Sequence, residues 1–227
     1  MEVSGEAFVL HRRPYRNTSA LVELLSRSAG KVSAVAPGAR NRRKNFSLEP
    51  FNLLDIACRG RGSLLTLSRA EPFGQYWALA GESLYCGLYA NELLSYFLAE
   101  GDAQPELFDR YSILLSDLKG ATERGDRERC LREFELDLLW LLGFSIDFSQ
   151  DINEDEIVAE TRYGLRADAG FYPLASSGSE SVSGSVIGKL RQRQWDEESL
   201  LAAKRICREL IAFHLNGRVL HSRELFR

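Results

Sequence analysis

Over the first third of the chain the apolar positions fall in five short runs, AFVL, ALVELLS, GKVSAVA, FNLLDIAC and SLLTLS, between Ala7 and about Ala70. Short runs rich in aliphatic and β-branched side chains, bounded by turn residues, predict strands. The turn signals are Arg13-Pro14, Ser28-Ala29-Gly30, Pro37-Gly38 and Arg59-Gly60-Arg61-Gly62. The second leaves so little chain between runs two and three that a hairpin is expected there. Five short antiparallel strands bury their faces by closing into a small barrel, for which the OB-fold is the common five-stranded form and an SH3-like barrel the alternative.

After Glu71-Pro72 the spacing of apolar residues lengthens from two to between three and four. Leu84, Tyr85, Leu88, Tyr89, Leu93, Leu94, Phe97 and Leu98 predict one helix, Leu107 to Leu118 a second, and Leu131, Phe134, Leu138 and Leu142 a third. Gly101 and Gly143 stand where the first and third of these should end. A further helix is expected from about Asp196 to Leu215, opened by Asp196 with Glu197 and Glu198 and closed by Asn216-Gly217. Between these helices, Ile152 to Leu174 reads as irregular with one or two short strands, and the Ser-rich ASSGSESVSGS, Ala175 to Ser185, as a mobile loop. The pattern as a whole predicts an α+β chain: a barrel domain over 1–78, then a mainly helical domain over 79–227 with an irregular insertion at about 145–185.

Composition narrows the class. With 227 residues, 44% hydrophobic and 27% charged, the chain has globular character, and no apolar run approaches the roughly 20 residues that span a bilayer. The N-terminus MEVSGEAFVLHRR is unlike a signal peptide, so a soluble cytoplasmic protein is expected. Cys58, Cys86, Cys130 and Cys207 are far apart with no CxxC pair, which predicts small buried side chains and no disulfide framework or zinc site. His11, His214 and His221 form no HExxH pattern, and neither GxxxxGK[ST] nor GxGxxG occurs. No metal, cofactor or catalytic residue is therefore expected.

Charge divides the chain as the apolar pattern does. Residues 1–80 carry 12 Lys plus Arg against 6 Asp plus Glu, and the remainder 17 against 26, although the formal net charge is only -3. A basic module joined to an acidic one suggests a polyanion partner for the first. The densest cluster is ARNRRKN, where Arg40, Arg42, Arg43 and Lys44 fall between predicted strands three and four. A solvated loop would explain that cluster alone, but Arg12, Arg13 and Arg16 crowd another predicted loop, RRPYRN, and Arg59, Arg61 and Arg69 add to them. Phosphate is the counterion such a set fits. Single strands also need aromatic faces for stacking, which Tyr15 and Phe46 could supply unless they belong to the core.

At this point the residues resemble a known family. FVLHRRPYRNTSALVELLSRSAGKVSAVAPGAR is similar to the N-terminal domain of the RecO family of bacterial DNA repair and recombination mediators. SLYCGLYANELLSYFL, LREFELDLLWLLGF and LLAAKRICRELIAFHLNGRVLHSRELF resemble its later motifs, in the family's order. The resemblance implies an OB-fold followed by a helical domain, in a cytoplasmic, nucleoid-associated protein without hydrolytic activity. It implies binding of single- and double-stranded DNA, annealing of complementary strands, and cooperation with RecR in loading RecA onto DNA coated by single-strand binding protein. Many relatives carry a four-cysteine zinc element at about 145–185; this chain has no cysteine there and resembles the zinc-free branch. The acidic tail of single-strand binding protein is the other implied partner, and Arg132, aligned with the family's LRxFE motif, is the residue expected to receive it. On a helix Arg132 shares a face with Leu136 and Leu139, at the border of an apolar stripe; an intrahelical pair with Glu128 or Glu135 is the competing reading. Lys204, Arg205, Arg208 and Arg223 are further candidates for the tail or for DNA.

Two other classes compete. Asp151, Glu154, Asp155 and Glu156 could hold Mg2+ as in a nuclease, although acids clustered in a polar loop are usually solvated. An RNA-binding OB protein shares the barrel and its charge, and only the helical motifs argue against it.

Overall fold

The computed structural model describes residues 2–39, 48–175, 178 and 181–226, with 75 and 76 as backbone only. The chain forms two compact units, Met1–Ala121 with Leu220–Arg227, and Thr122–Val219.

In the first unit, strands β1 (Glu2–Tyr15), β2 (Ser19–Ser26), β3 (Gly30–Ala36), β4 (Asn52–Arg59) and β5 (Leu64–Tyr76) close a barrel in the order β1-β2-β3-β5-β4. All neighbours are antiparallel except β3 and β5, which run parallel from Ser33↔Leu64 to Val35↔Thr66. This is the five-stranded OB-type closure expected from the apolar runs. Strands β3 and β4 alternate strictly between buried and half-buried positions, as a period of two requires. The inward set, including Val9, Val22, Leu24, Val32, Leu54, Ile56 and Leu67, fills the barrel as a packed core.

Strand β1 departs from the expectation in length and in its ending. AFVL predicts a short strand ended by Arg13-Pro14, whereas β1 continues through Tyr15 and turns only at residues 16–18. Ladder pairing with β4 stops at Phe8, although Phe51 N still donates to the Val9 carbonyl at 3.0 Å, so farther along β1 is laddered to β2 alone, and Pro14, opposite Ala20, can lie on a strand edge where a missing N–H is tolerated. The register slips between Val9 and His11, making Leu10 the extra residue of a bulge. Ala7, Phe8, Val9 and Leu10 are consequently all buried, because the outer face of β1 is covered as well as the inner one.

The covering elements are α1 (Gly81–Phe97) and α2 (Pro105–Gly120). Asn91 donates to the Leu10 carbonyl at 2.8 Å, satisfying an acceptor the bulge takes out of the ladder, and accepts from the Tyr111 hydroxyl. Phe8 packs against Trp77, Phe108 and Tyr111 at centroid distances of 5.6, 4.8 and 5.0 Å. Gly30, at φ 63°, begins β3 directly beneath the α1–α2 connection, where a Cβ would come within 1.8 Å of the Asp102 carbonyl oxygen. The chain ends in a 3₁₀ turn, His221–Phe226, whose first amides, His221 N and Ser222 N, donate to Glu92 of α1 at 2.9 Å each.

The second unit consists of α3 (Arg124–Leu141), a three-stranded sheet, α4 (Gly184–Arg191) and α5 (Glu197–Leu215). In the sheet β6 (Arg162–Arg166) lies between β7 (Gly170–Pro173) and β8 (Val182–Ser183). The loop expected over Ala175–Ser185 is therefore corrected in its last part, where β8 forms and Ser183 caps α4 by accepting from Val186 N; residues 176, 177, 179 and 180 lie outside the described residues. Helix α5 has the ends expected of it, Asp196 accepting from Ser199 N at 2.8 Å and Asn216 left-handed at φ 48°. Acids of α3 hold the segments that follow: Glu128 accepts from Lys204, Glu133 from Trp195 and Asp137 from Arg193.

Candidate nucleic-acid interface

A basic composition attracts a polyanion only where the cations are not already matched. Arg27 of the first unit is bound by Glu6 at 2.9 Å and Asp109 at 2.6 Å, which raise its pKa, and it lies 4.4 Å over the Phe108 ring. Arg59 meets Glu2 at 3.1 Å, and Arg69 meets Asp55 and, at 3.8 Å, Glu71. Lys31 donates to the Ser95 carbonyl at 2.6 Å. With Arg12, which meets Glu49, four of the positions counted toward a basic barrel thus have carboxylate partners within the unit.

The acidic segment that follows α1 also covers part of β3. Ser33 donates to Glu100 at 2.7 Å, Gly101 N donates to the Lys31 carbonyl at 3.2 Å, and the main-chain carbonyl of Asp102 lies over Gly30. An anionic backbone is disfavoured along this stretch.

The opposite end of the same strands is different. Arg12, Arg13 and Tyr15 extend the β1 ladder, correcting the loop expected for RRPYRN, and Arg16 occupies the turn at φ 51°. Arg13 is exposed and makes no ion pair with another described residue. Arg16 is exposed, with its guanidinium 5.2 Å from the Tyr15 ring centroid. Arg61 is exposed in the turn between β4 and β5, which the Glu2↔Arg59 pairing sets beside the start of β1 and away from Tyr15. Arg12 donates to Glu49 at 2.6 Å. The pair borders a recess of about 440 Å³ lined by His11, Arg12, Pro14, Ala20, Glu49 and Pro50. The sequence points to Arg12 but not to Glu49, because the two are 37 positions apart and only barrel closure brings them together. Arg40, Arg42, Arg43, Lys44 and Phe46 lie outside the described residues; the flanking Ala39 and Leu48 pack at the barrel core.

In the second unit, Arg132 is buried, and its Nη2 donates to Glu135 Oε1 at 2.9 Å. This is the intrahelical pairing that competes with receipt of an acidic tail. Leu136 and Leu139 are core residues at 5% and 1% exposure, and Lys204 is held by Glu128 at 3.0 Å. Arg223 belongs to the first unit, in the closing 3₁₀ turn. All four cysteines are buried. Burial pushes the Cys58 thiol up to about 11 and the Cys207 thiol well above its ordinary value, with Glu135 adding to the latter. Neither is poised to react. Asp151, from the cluster considered for Mg2+, accepts from Asn153 N at 2.7 Å and Asp155 N at 3.2 Å in a local turn. Among the described residues no group of three or more His, Cys, Asp or Glu could hold a metal ion, and no helix is long and apolar enough to cross a membrane.

Comparison with known proteins gives this geometry its context. Residues 1–76 match the family model for the N-terminal part of recombination protein O, and residues 79–224 match the model for its C-terminal part. The chain belongs to the recombination protein O family. It is 41% identical to the DNA repair protein RecO of Methylococcus capsulatus over 225 residues, covering 97% of this chain and 91% of the relative. The relatives of the same name from Psychromonas ingrahamii and Erwinia tasmaniensis are each 39% identical, over 97% and 100% of this chain and 96% and 94% of their own lengths.

Proposed function

We propose that this chain is a DNA repair and recombination mediator that binds single- and double-stranded DNA and anneals complementary strands. With RecR, it helps load RecA onto DNA coated by single-strand binding protein. Family membership supports the process, repair and recombination. The observation that carries the DNA-binding reading is the grouping of the exposed Arg13 and Arg16 with Tyr15 at one barrel end, beside Arg12, whose charge Glu49 already matches. Cations at a common edge lower the repulsion between two phosphate backbones, and annealing by this route uses no ATP and no catalytic residue. Arg40, Arg42, Arg43 and Lys44, between β3 and β4 in sequence, extend the same proposal.

The acidic tail of single-strand binding protein is proposed to dock on the second unit. Trp140, Leu201 and Phe213 are exposed there at 65%, 70% and 52%, and α5 also carries Arg205 and Arg208. For Arg132 and Lys204 to receive tail carboxylates, the tail must compete with Glu135 and Glu128.

The deciding experiment mixes two complementary oligonucleotides, each precoated with single-strand binding protein carrying or lacking its tail, without ATP. Tail-dependent annealing is expected. DNA binding with no annealing at all would overturn the mediator reading. Arg13→Ala combined with Arg16→Ala should weaken binding to all sequences alike and reduce the slope of log K against log salt by about 2.

A further inference from the structure

We infer that the recess beside Arg12 is a pocket for one unstacked nucleobase, with guanine the base it fits best; the inference rests on the proposed DNA binding. Its volume, about 440 Å³, is of the size that takes a small planar ligand. Pro14, Pro50 and Ala20 supply apolar surface, His11 a flat ring, and Arg12 with Glu49 the polar groups.

The carboxylate decides between a base and a phosphate. Glu49 is 62% exposed at the recess and already neutralises Arg12 at 2.6 Å, so a phosphate entering would meet a like charge and a matched cation. A base edge meets the reverse. A guanidinium beside a carboxylate offers donors next to acceptors, and the Watson–Crick edge of guanine carries the complement: the O6 acceptor followed by the N1–H and N2–H donors. Arg12 donates to O6 while Glu49 accepts both N–H groups, a two-pronged contact of the kind that gives geometric specificity. Adenine and cytosine each offer the carboxylate a single amino group on that edge. Thymine offers one N–H between two carbonyl oxygens, which face the carboxylate unfavourably.

The surroundings suit a strand whose base enters here. Arg13 and Arg16 lie one and four positions beyond Arg12 on the same hairpin, both exposed, within reach of the phosphates flanking the captured nucleotide. A base can enter only after leaving its stack, so the pocket favours single strands over duplex and holds a bound strand in register while its neighbours remain available for pairing.

The test measures binding of the full chain, at one fixed salt concentration, to oligothymidine whose central residue is thymine, guanine, hypoxanthine or abasic. The guanine strand should bind at least about fivefold tighter than the thymine strand, the lower end for a bidentate base contact. Hypoxanthine, which lacks the N2 amino group, should fall between them. Glu49→Gln, at an exposed position, should raise affinity for the all-thymine strand and remove the guanine preference. Equal affinity for all four strands, or a guanine preference that survives Glu49→Gln, would overturn the pocket while leaving DNA binding intact. Failure to bind any strand would overturn both.

Discussion

Arg132 and Glu135 stand one helical turn apart on α3, and both are withdrawn from water, at 7% and 0% side-chain exposure. Removing one partner of such a pair leaves a buried charge without its counter-charge, which costs about 3–5 kcal/mol, whereas replacing both by apolar residues of similar size is often neutral or stabilising. Arg132→Ala should accordingly lower the urea midpoint of unfolding strongly, and Arg132→Met with Glu135→Leu should restore most of it. A single variant as stable as the parent would show that the pair reaches solvent. The outcome bears on function, because a loss of tail binding in Arg132→Ala is interpretable only beside its stability. The spacing Arg132, Leu136, Leu139 correctly reads one helix face, but spacing does not show that the tertiary fold covers that face and buries the charge. For the same reason Arg59 and Arg69 read as basic patch residues, although cross-strand pairing sets each beside an acid, Glu2 and Asp55.

At the scale of elements, helix α5 was legible because its ends are written in local chemistry. Asp196 exchanges bonds with Ser199 in a capping box and is also bound by Lys189 at 2.6 Å. These partners hold its carboxyl at about 2, against an ordinary 3.8. The folded state therefore binds this proton more weakly than the unfolded chain. The associated stability is complete above about pH 5, falls as the unfolded chain takes up its proton around 3.8, and is lost only once the folded chain's carboxyl is protonated as well, by about pH 1. Asp196→Asn keeps an acceptor for Ser199 N but removes the titration, so its unfolding midpoint should fall less than the parent's over that interval. Parallel acid limbs for the two proteins would refute the assignment. Strand β1 and helix α4 were harder to read for opposite reasons. In β1 the Leu10 bulge breaks the period of two and gives a run of four buried residues with no alternation to follow. Helix α4 has a Ser183 cap, but that serine is one among many in ASSGSESVSGS and carries no distinctive signal.

For the molecule as a whole, the period change after Glu71-Pro72 marks where secondary structure switches, and the two family models meet near the same point. The compact units divide elsewhere, after Ala121, since α1 and α2 complete the outer packing of the barrel. That completion is long-range and aromatic: Phe8 is fully buried against Trp77, Phe108 and Tyr111, and Asn91 answers the Leu10 carbonyl. A fragment ending at residue 78 would lose Phe108, Tyr111 and Asn91 together and expose Phe8, Leu10 and a carbonyl without its donor. Such a fragment should bind a hydrophobic dye and melt without a cooperative transition, despite holding all five strands. In the full chain, Phe8→Ala should cost about 3–5 kcal/mol, the range for emptying a buried aromatic site. A sharp thermal transition in the fragment, together with a Phe8→Ala cost near zero, would instead make the barrel an independent module, with α1 and α2 packed on it as a removable layer.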